Sequence, residues 1–497
     1  MTTSIKKIFL LCTVLWFMTG CADFLDVNMD PNNPTTTAPN NLLPAILANS
    51  ATITFNAGEI GTYYAQQLST EFGNNSTRDL WDFRREVRVG IFRHHYFDVG
   101  GNAFNMIQEA GKDNISMNYQ GVGKIMLAFS FLTTTDVLGD MPFHEAFSGK
   151  DSPKYDTQDV IYEGIEKMLD EAIVHLQAAM DAGAAVRPMT ANNDPVFRGD
   201  LNAWKAFAHG LKARLLIHKS NHGVDFNKVI EQVDLALQGW KAPSYPFNGS
   251  DDWTRNPWGP LQARPMLFSM RPNYLAFSAP STFFMSFMQD EDYTDPRAYK
   301  HFTPNEGGEI IGIVSGRGRE AIPRADLPGL YDNALTGDNS PIEYMVKAEL
   351  YFIKAEAAFM LNNKPLAYTN YLAGINADMD RLGVEQADRN EYLNNADFVV
   401  NNENNITLSH IITQKMIALY LQPEAWVDMR RHDYSDEVYP GLTRPESVDQ
   451  SIFGEDKWIA RIPYNMETEY IYNLPEIDRL GAKEASFLAV KLWWMQN

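Results

Sequence analysis

Apolar residues recur at i, i+3, i+4 and i+7 along much of this chain, the period of helices with one buried face. Trp204, Phe207, Ala208, Leu211, Leu215 and His218 form one stripe, with Lys205, Lys212 and Lys219 seven apart on the other side. Ile161, Ile165, Met168, Leu169, Ala172 and Leu176 form a second, Ala348, Phe352, Ala355 and Phe359 a third, and Ile412, Met416 and Leu419 a fourth. Pro423 then opens a short helix predicted over Glu424 to Arg431. Around the third stripe Tyr351, Ala355, Ala367, Tyr371 and Gly374 follow the large, small, small, aromatic, small order of a tetratricopeptide repeat. Val229, Val233 and Ala236 are a weaker echo. Between 241 and 340 the periodicity stops. Eleven of the 26 prolines fall there, and Pro243, Pro246, Pro257, Pro260, Pro265 and Pro272 forbid long helices. The expected fold is mainly α, a helical scaffold carrying a large irregular, loop-rich insertion. Long ordered insertions of that kind carry function more often than not.

The N-terminus has a different pattern. Lys6 and Lys7 precede an apolar run from Ile8 to Met18, and Met18-Thr19-Gly20-Cys21 follows. The run is too short to span a bilayer and fits a secretory signal. The small residues before Cys21 resemble a bacterial lipobox, so residues 1–20 are expected to be a lipoprotein signal and Cys21 the lipidated first residue, the alternative being a Sec signal whose Cys is accidental. Residues 21–41 read as a tether and 42–497 as the folded domain. Asp26, Asn28, Asp30 and Asn32 alternate as in a calcium loop, but Pro31 breaks the geometry and the Gly and bidentate Glu are missing. No later stretch is expected to cross a membrane, which leaves the acyl chains as the only anchor.

Composition narrows the function. The chain of 497 residues is 45% hydrophobic and 21% charged, enough to bury a large core. Its 42 basic and 63 acidic residues give a formal charge of -21, and loss of the signal removes two lysines and no acid. Such a chain repels nucleic acid and anionic membrane faces. Of the two cysteines, Cys12 lies in the signal and Cys21 would be acylated, which excludes disulfides, cysteine-bound zinc and a cysteine nucleophile together.

Catalytic signatures are missing. Gly121-Val122-Gly123-Lys124 lacks the outer residues of a phosphate loop, Gly316-Arg317-Gly318 lacks a third glycine, and no G-x-S-x-G elbow occurs. His218 and His222 have helical ligand spacing without the Glu of H-E-x-x-H, and Asn221 and Gly223 mark a helix end. His94 and His95 point to different sides of any regular element. No catalytic residue, metal or cofactor is assigned. A glycosidase needs only two carboxylates at the right separation, so a surface glycan hydrolase remains an alternative.

Several stretches together resemble one family. Thr135-Asp136-Val137-Leu138-Gly139-Asp140-Met141-Pro142-Phe143-His144-Glu145-Ala146 is similar to a signature of SusD/RagB-type outer-membrane lipoproteins. Gly199-Asp200-Leu201-Asn202-Ala203-Trp204 opens a helix like their next one. Asp295-Pro296-Arg297, Glu424-Ala425-Trp426-Val427-Asp428-Met429-Arg430-Arg431, Arg461-Ile462-Pro463-Tyr464 and the tail Lys491-Leu492-Trp493-Trp494 follow in the family's order, with Asn465 replacing a second proline. The resemblance implies a four-repeat tetratricopeptide scaffold whose irregular face carries the ligand site. It also implies a surface-exposed, lipid-anchored outer-membrane protein, not an enzyme, that delivers oligosaccharides, or peptides in RagB-like members, to a SusC-like TonB-dependent transporter. Asp23 and Asp26 look like the family's export signal. The residues themselves give the motifs a structural reading: Trp426 belongs to the core, and Arg430 and Arg431 bridge acids or cap carbonyls. A third function class, a protein-interaction scaffold, stays open.

A sugar ring offers an apolar face and a rim of hydroxyls, so its site needs exposed flat aromatics beside fixed polar groups. Trp204, Trp240 and Trp426 sit on helices or their ends and read as core. Trp81, Trp253 and Trp258 lie in polar, loop-like company, with Asn75 and Arg78 near the first and Arg255 between the other two. The resemblance places the site at an early loop and a mid-chain insertion, where these six residues fall. They are the expected ligand contacts, and a protein partner and a glycan the expected partners.

Overall fold

A computed structural model describes residues 37–73, 76–82, 90–250, 254–260, 274–446 and 448–496. Cys21, Asn75, Trp253 and the calcium-like loop lie outside them. The chain from Pro39 onward forms one unit. Helix α1 (Pro39–Tyr64) opens it, so residues 39–41, expected in the tether, are helical.

Helices then follow in packed pairs. A π-helical stretch (His94–Gly100) runs into α2 (Gly101–Ala110), which packs on α3 (Met117–Leu138). Helix α3 pairs with α4 (Gln158–Ala182), α5 (Leu201–His218) with α6 (Phe226–Gln238), and α7 (Lys347–Met360) with α8 (Lys364–Leu382). Helices α9 (Leu408–Ala418) and α10 (Glu424–Arg431) close the scaffold. The last has the bounds the sequence predicts. Small residues make the pairs close: a Cβ on Gly374 would lie 2.7 Å from the Phe352 ring, and one on Gly121 would lie 2.9 Å from Leu176. Tyr371, the aromatic of the repeat pattern, is fully buried in the α7–α8 pair, and Phe352 packs against Gly374, while Tyr351 at the large position is half-buried.

The predicted stripe on α5 is buried throughout. Its three lysines meet α4 rather than open solvent: Lys212 pairs with Asp170, Lys219 with Glu166 at 3.1 Å, and Lys205 donates to Gln177 at 2.9 Å. Helix α3 corrects the expectation about membranes. It is long and apolar enough to cross a bilayer, but its most apolar window is 94% buried in the protein. It is hydrophobic all round because helices surround it.

Between 241 and 340 no described element exceeds four residues. Two short antiparallel ladders tie this insertion to the scaffold. Strand β1 (Leu68–Thr70) pairs with β3 (Ser278–Pro280), Ser69 opposite Ala279. Strand β2 (Ser244–Tyr245) pairs with β4 (Ile342–Glu343).

Candidate functional site

The signature motifs converge on a buried ionic junction. His218 ends α5 with both ring nitrogens engaged. Its Nε2 lies 2.9 Å from Glu424, and its Nδ1 lies 3.4 Å from Asp136 and 3.1 Å from the Tyr162 hydroxyl. Tyr162 and the Trp494 indole both donate to Asp136. Arg214 donates to Glu349 at 2.7 Å twice and stands 3.5 Å from Glu424. Burial would lower the pKa of His218, but Glu424 and Asp136 outweigh it and hold the group up at about 9. The spacing of Asp136, His218 and Glu424 would suit a cation. The ring is bonded at both nitrogens by these groups, and the trio forms an ion-pair junction that ties α3, α5 and α10 together.

The neighbouring motif residues share that role. Arg430 donates to the carbonyls of Asp136 at 2.6 Å and Ala460 at 2.9 Å, and its guanidinium lies 3.6 Å from the Trp426 ring centroid. Arg431 pairs with Glu356 at 2.5 Å and Asp428 at 2.8 Å. Arg461 donates to the carbonyls of Val490 and Lys491, and Tyr464 to that of Asp140, so the closing motif holds the tail against the turn after α3. Arg297 joins Asp295 at 2.6 Å and Asp378 at 3.2 Å, with Gln414 and Tyr392 accepting further bonds. These residues are buried. They hold the scaffold together.

The surface where the early loop meets the insertion is different. The loop leaves β1 at Glu71 and touches the segment 315–324. Gly73 and Gly318 allow the contact: both have positive φ, and a Cβ on either would meet the other loop's backbone, at 2.5 Å from the Arg317 carbonyl oxygen and 2.6 Å from that of Glu71. Gly316-Arg317-Gly318 thus clasps the early loop. Phe72 and Phe277 project beside the clasp, 52% and 39% exposed, with ring centroids 5.4 Å apart and planes inclined by 42°. Next to them Glu71 is paired with Arg319 at 3.2 Å and Arg324 at 2.8 Å, and both guanidiniums are partly open to solvent. Two exposed rings beside fixed donors are what a saccharide face and rim require.

Behind this surface the loop is anchored. Asp79 accepts from the Thr70 backbone at 3.0 Å, from Ser69 at 3.2 Å and from the Thr70 hydroxyl. Burial pushes its carboxyl up to about 6, against the lowering effect of those bonds.

The residues expected to contact ligand sit elsewhere. Trp81 is fully buried, edge-on to Phe453 at 5.3 Å and tilted against Trp458 at 5.5 Å, and its indole N–H has no partner among the described residues. Arg78 is buried and paired with Glu59 at 3.4 Å. Trp258 is 4% exposed and packs edge-on against Phe55 at 4.6 Å. Arg255 is half-buried, donating to the Gly249 carbonyl at 3.2 Å and lying 3.7 Å from Asp338. Trp81, Arg78 and Trp258 therefore cannot offer the open faces expected of them, because residues distant in sequence cover them. Tryptophan as the signal misses Phe72 and Phe277, although Glu71-Phe72-Gly73-Asn74-Asn75 adjoins the polar stretch before Trp81. Trp81→Ala is expected to lower stability by about 3 to 5 kcal/mol, the cost of a large core aromatic. Urea unfolding checks it; an unchanged midpoint with weakened ligand binding would make Trp81 a contact after all.

A sequence model of the SusD-like family, described as "Starch-binding associating with outer membrane", matches residues 31–451. No curated protein matches the chain. Many solved structures share the fold. A chitin-binding SusD homolog from Flavobacterium johnsoniae is 21% identical with a TM-score of 0.70, over 92% of this chain and 99% of its own. A SusD homolog from Bacteroides uniformis is 20% identical with a TM-score of 0.68, over 92% and 99%. A SusD/RagB family protein from Bacteroides thetaiotaomicron is 21% identical with a TM-score of 0.66, over 93% and 99%.

Proposed function

We propose, from the premise that this chain belongs to the SusD-like family, that it is a surface lipoprotein which captures oligosaccharides and passes them to a barrel transporter of the TonB-dependent class. The observation that carries the reading is the exposed pair Phe72 and Phe277 beside the Arg319–Glu71–Arg324 cluster. Rings inclined by 42° form a shallow V, which suits two successive sugars of a curved chain better than one flat ring. The guanidiniums, held by Glu71, offer their remaining N–H groups to hydroxyls without reordering on binding. The family's starch-binding, outer-membrane character supports a glycan ligand and an outer-membrane location. The lipobox at Cys21 supplies the anchor, and the chemistry is binding without turnover.

A stacked ring contributes about 1 to 2 kcal/mol. Phe72→Ala and Phe277→Ala are each expected to weaken binding of a hexasaccharide roughly tenfold, with the melting temperature nearly unchanged because both rings are exposed. Isothermal titration with chitohexaose and maltohexaose, beside a tripeptide-to-decapeptide panel, reads the effect. Peptide binding that depends on the same two rings would replace the glycan reading. Native extraction in mild detergent is expected to recover a barrel partner from the outer-membrane fraction. Recovery of the protein alone from a soluble fraction would count against the anchor and the partner.

A further inference from the structure

A concave surface lies on the helical scaffold, lined by none of the residues of the β1–β3 ladder. It is a cleft of about 470 Å³ between the end of α6, strand β4 and the paired helices α7 and α8. That volume lies in the range of small-molecule sites. Trp240 and Tyr351 line it, both half-buried, and three alanines complete its apolar lining.

The polar lining divides into groups that are engaged and groups that are not. Arg381 is saturated, by Glu343 at 2.8 Å, Asp378 at 2.7 Å and the Ala418 carbonyl at 3.1 Å. Asp380 pairs with Arg389 at 2.5 Å. Lys347 makes no ion pair among the described residues; its ammonium stands 5.8 Å from the Tyr351 ring centroid. The Trp240 indole N–H likewise has no partner among them. Asn376 donates to the Leu372 carbonyl at 2.8 Å and keeps its side-chain oxygen. The cleft therefore holds two aromatic faces, two uncompleted donors and one uncompleted acceptor. Its four formal charges cancel, Lys347 and Arg381 against Glu343 and Asp380. An acidic peptide or a free anion would find only one cation that is not already paired. A neutral pyranose ring needs an apolar face and a few hydroxyl partners, and the cleft offers both without a net field.

We propose that this cleft is a second saccharide subsite, in which Trp240 stacks on a neutral sugar ring and Lys347 and Asn376 bond its hydroxyls. The proposal rests on the reading of the protein as a glycan binder. It adds a separate place of contact, built on the rigid repeat helices rather than on the loop clasp. Two such sites on one chain let a long glycan be held twice, and the second contact then forms at the raised effective concentration of a tethered ligand.

Photolabelling tests it and separates it from the primary reading. Chitohexaose and maltohexaose carrying a diazirine are irradiated with the full-length protein at about 1 mM, enough to populate a weak site. Adducts are mapped by peptide mass spectrometry with unlabelled sugar as competitor. The expected result is competed labelling in two zones, residues 240–244 with 373–381, and the loops bearing Phe72 and Phe277. Trp240→Ala should cut cleft labelling about tenfold and leave loop labelling intact. Lys347→Ala, at an exposed position, should cut it severalfold with an unchanged melting temperature. Labelling confined to the Phe72 and Phe277 loops overturns the subsite and leaves the proposed function standing. Labelling confined to the cleft overturns the placement of the primary site. No competed labelling with either sugar overturns both.

Discussion

Arg297→Leu is expected to destabilise the protein by about 3 to 5 kcal/mol, among the largest effects of any single change. The guanidinium is fully buried and compensates two buried carboxylates, Asp295 at 2.6 Å and Asp378 at 3.2 Å. It also donates to Gln414 at 2.7 Å and Tyr392 at 3.0 Å. Leucine fills much of the space and leaves Asp295 without its counter-ion, while Asp378 keeps only Arg381. Removing one partner of a buried pair is costly because the remaining charge is desolvated and uncompensated. Asp378 lies on α8 and Gln414 on α9, so Arg297 joins the insertion to two scaffold helices. Urea unfolding measures the loss. A change below about 1 kcal/mol would mean that water reaches the carboxylates and that the insertion is not fastened there.

The second large effect is a loss of stability at alkaline pH that passes through His218. Its pKa is about 9 in the folded protein, above the ordinary 6.5. The folded state therefore holds the proton more tightly than the unfolded chain. The stabilisation is fully present below pH 6.5 and is lost as pH rises through 9. The shift corresponds to roughly 3 kcal/mol. The groups facing His218 are Asp136 from α3, Tyr162 from α4, Arg214 on its own helix, Glu424 from α10 and Trp494 from the tail. Deprotonation leaves Asp136 and Glu424 facing a neutral ring, with Arg214 3.5 Å from Glu424 and Arg430 close to both acids. Urea unfolding at pH 6 and pH 9.5 compares the wild type with His218→Gln, which cannot titrate. The wild type should lose its advantage over the variant between the two. A constant difference would mean that His218 stays neutral in the fold.

Periodicity carried most of the scaffold. A stripe such as Trp204, Phe207, Ala208, Leu211 and Leu215 determines both helix and buried face, since a 3.6-residue period leaves one solution. Prolines at 243, 246, 257 and 260 kept long helices out of the insertion, as the fixed φ and missing N–H require. The motif residues were read as structural, and the reason is visible in Arg430 and Arg431, which cap carbonyls and bridge acids.

The aromatics show where local reading ends. Trp81 lies among Asn, Ser, Thr, Arg and Asp, the company of an exposed loop, yet it is buried by Phe453 and Trp458. Trp258 has polar neighbours in sequence and Phe55 as its neighbour in space. Trp240, at a helix end, reads as core and lines an open cleft. Polarity of flanking residues reports only what is next along the chain. Exposure depends on what packs on top, and for these rings that cover comes from segments up to hundreds of residues away. The same holds for chemistry. Asp136, His218 and Glu424 lie far apart in sequence, and only the meeting of three helices puts two carboxylates against the ring and holds its pKa up at about 9. The sequence by itself determined the helices, the irregular insertion and the family resemblance, because each is a matter of spacing along the chain. The tertiary structure alone decided which aromatics face water, since Phe72 and Phe277 become a pair only when Gly73 and Gly318 let two distant loops touch.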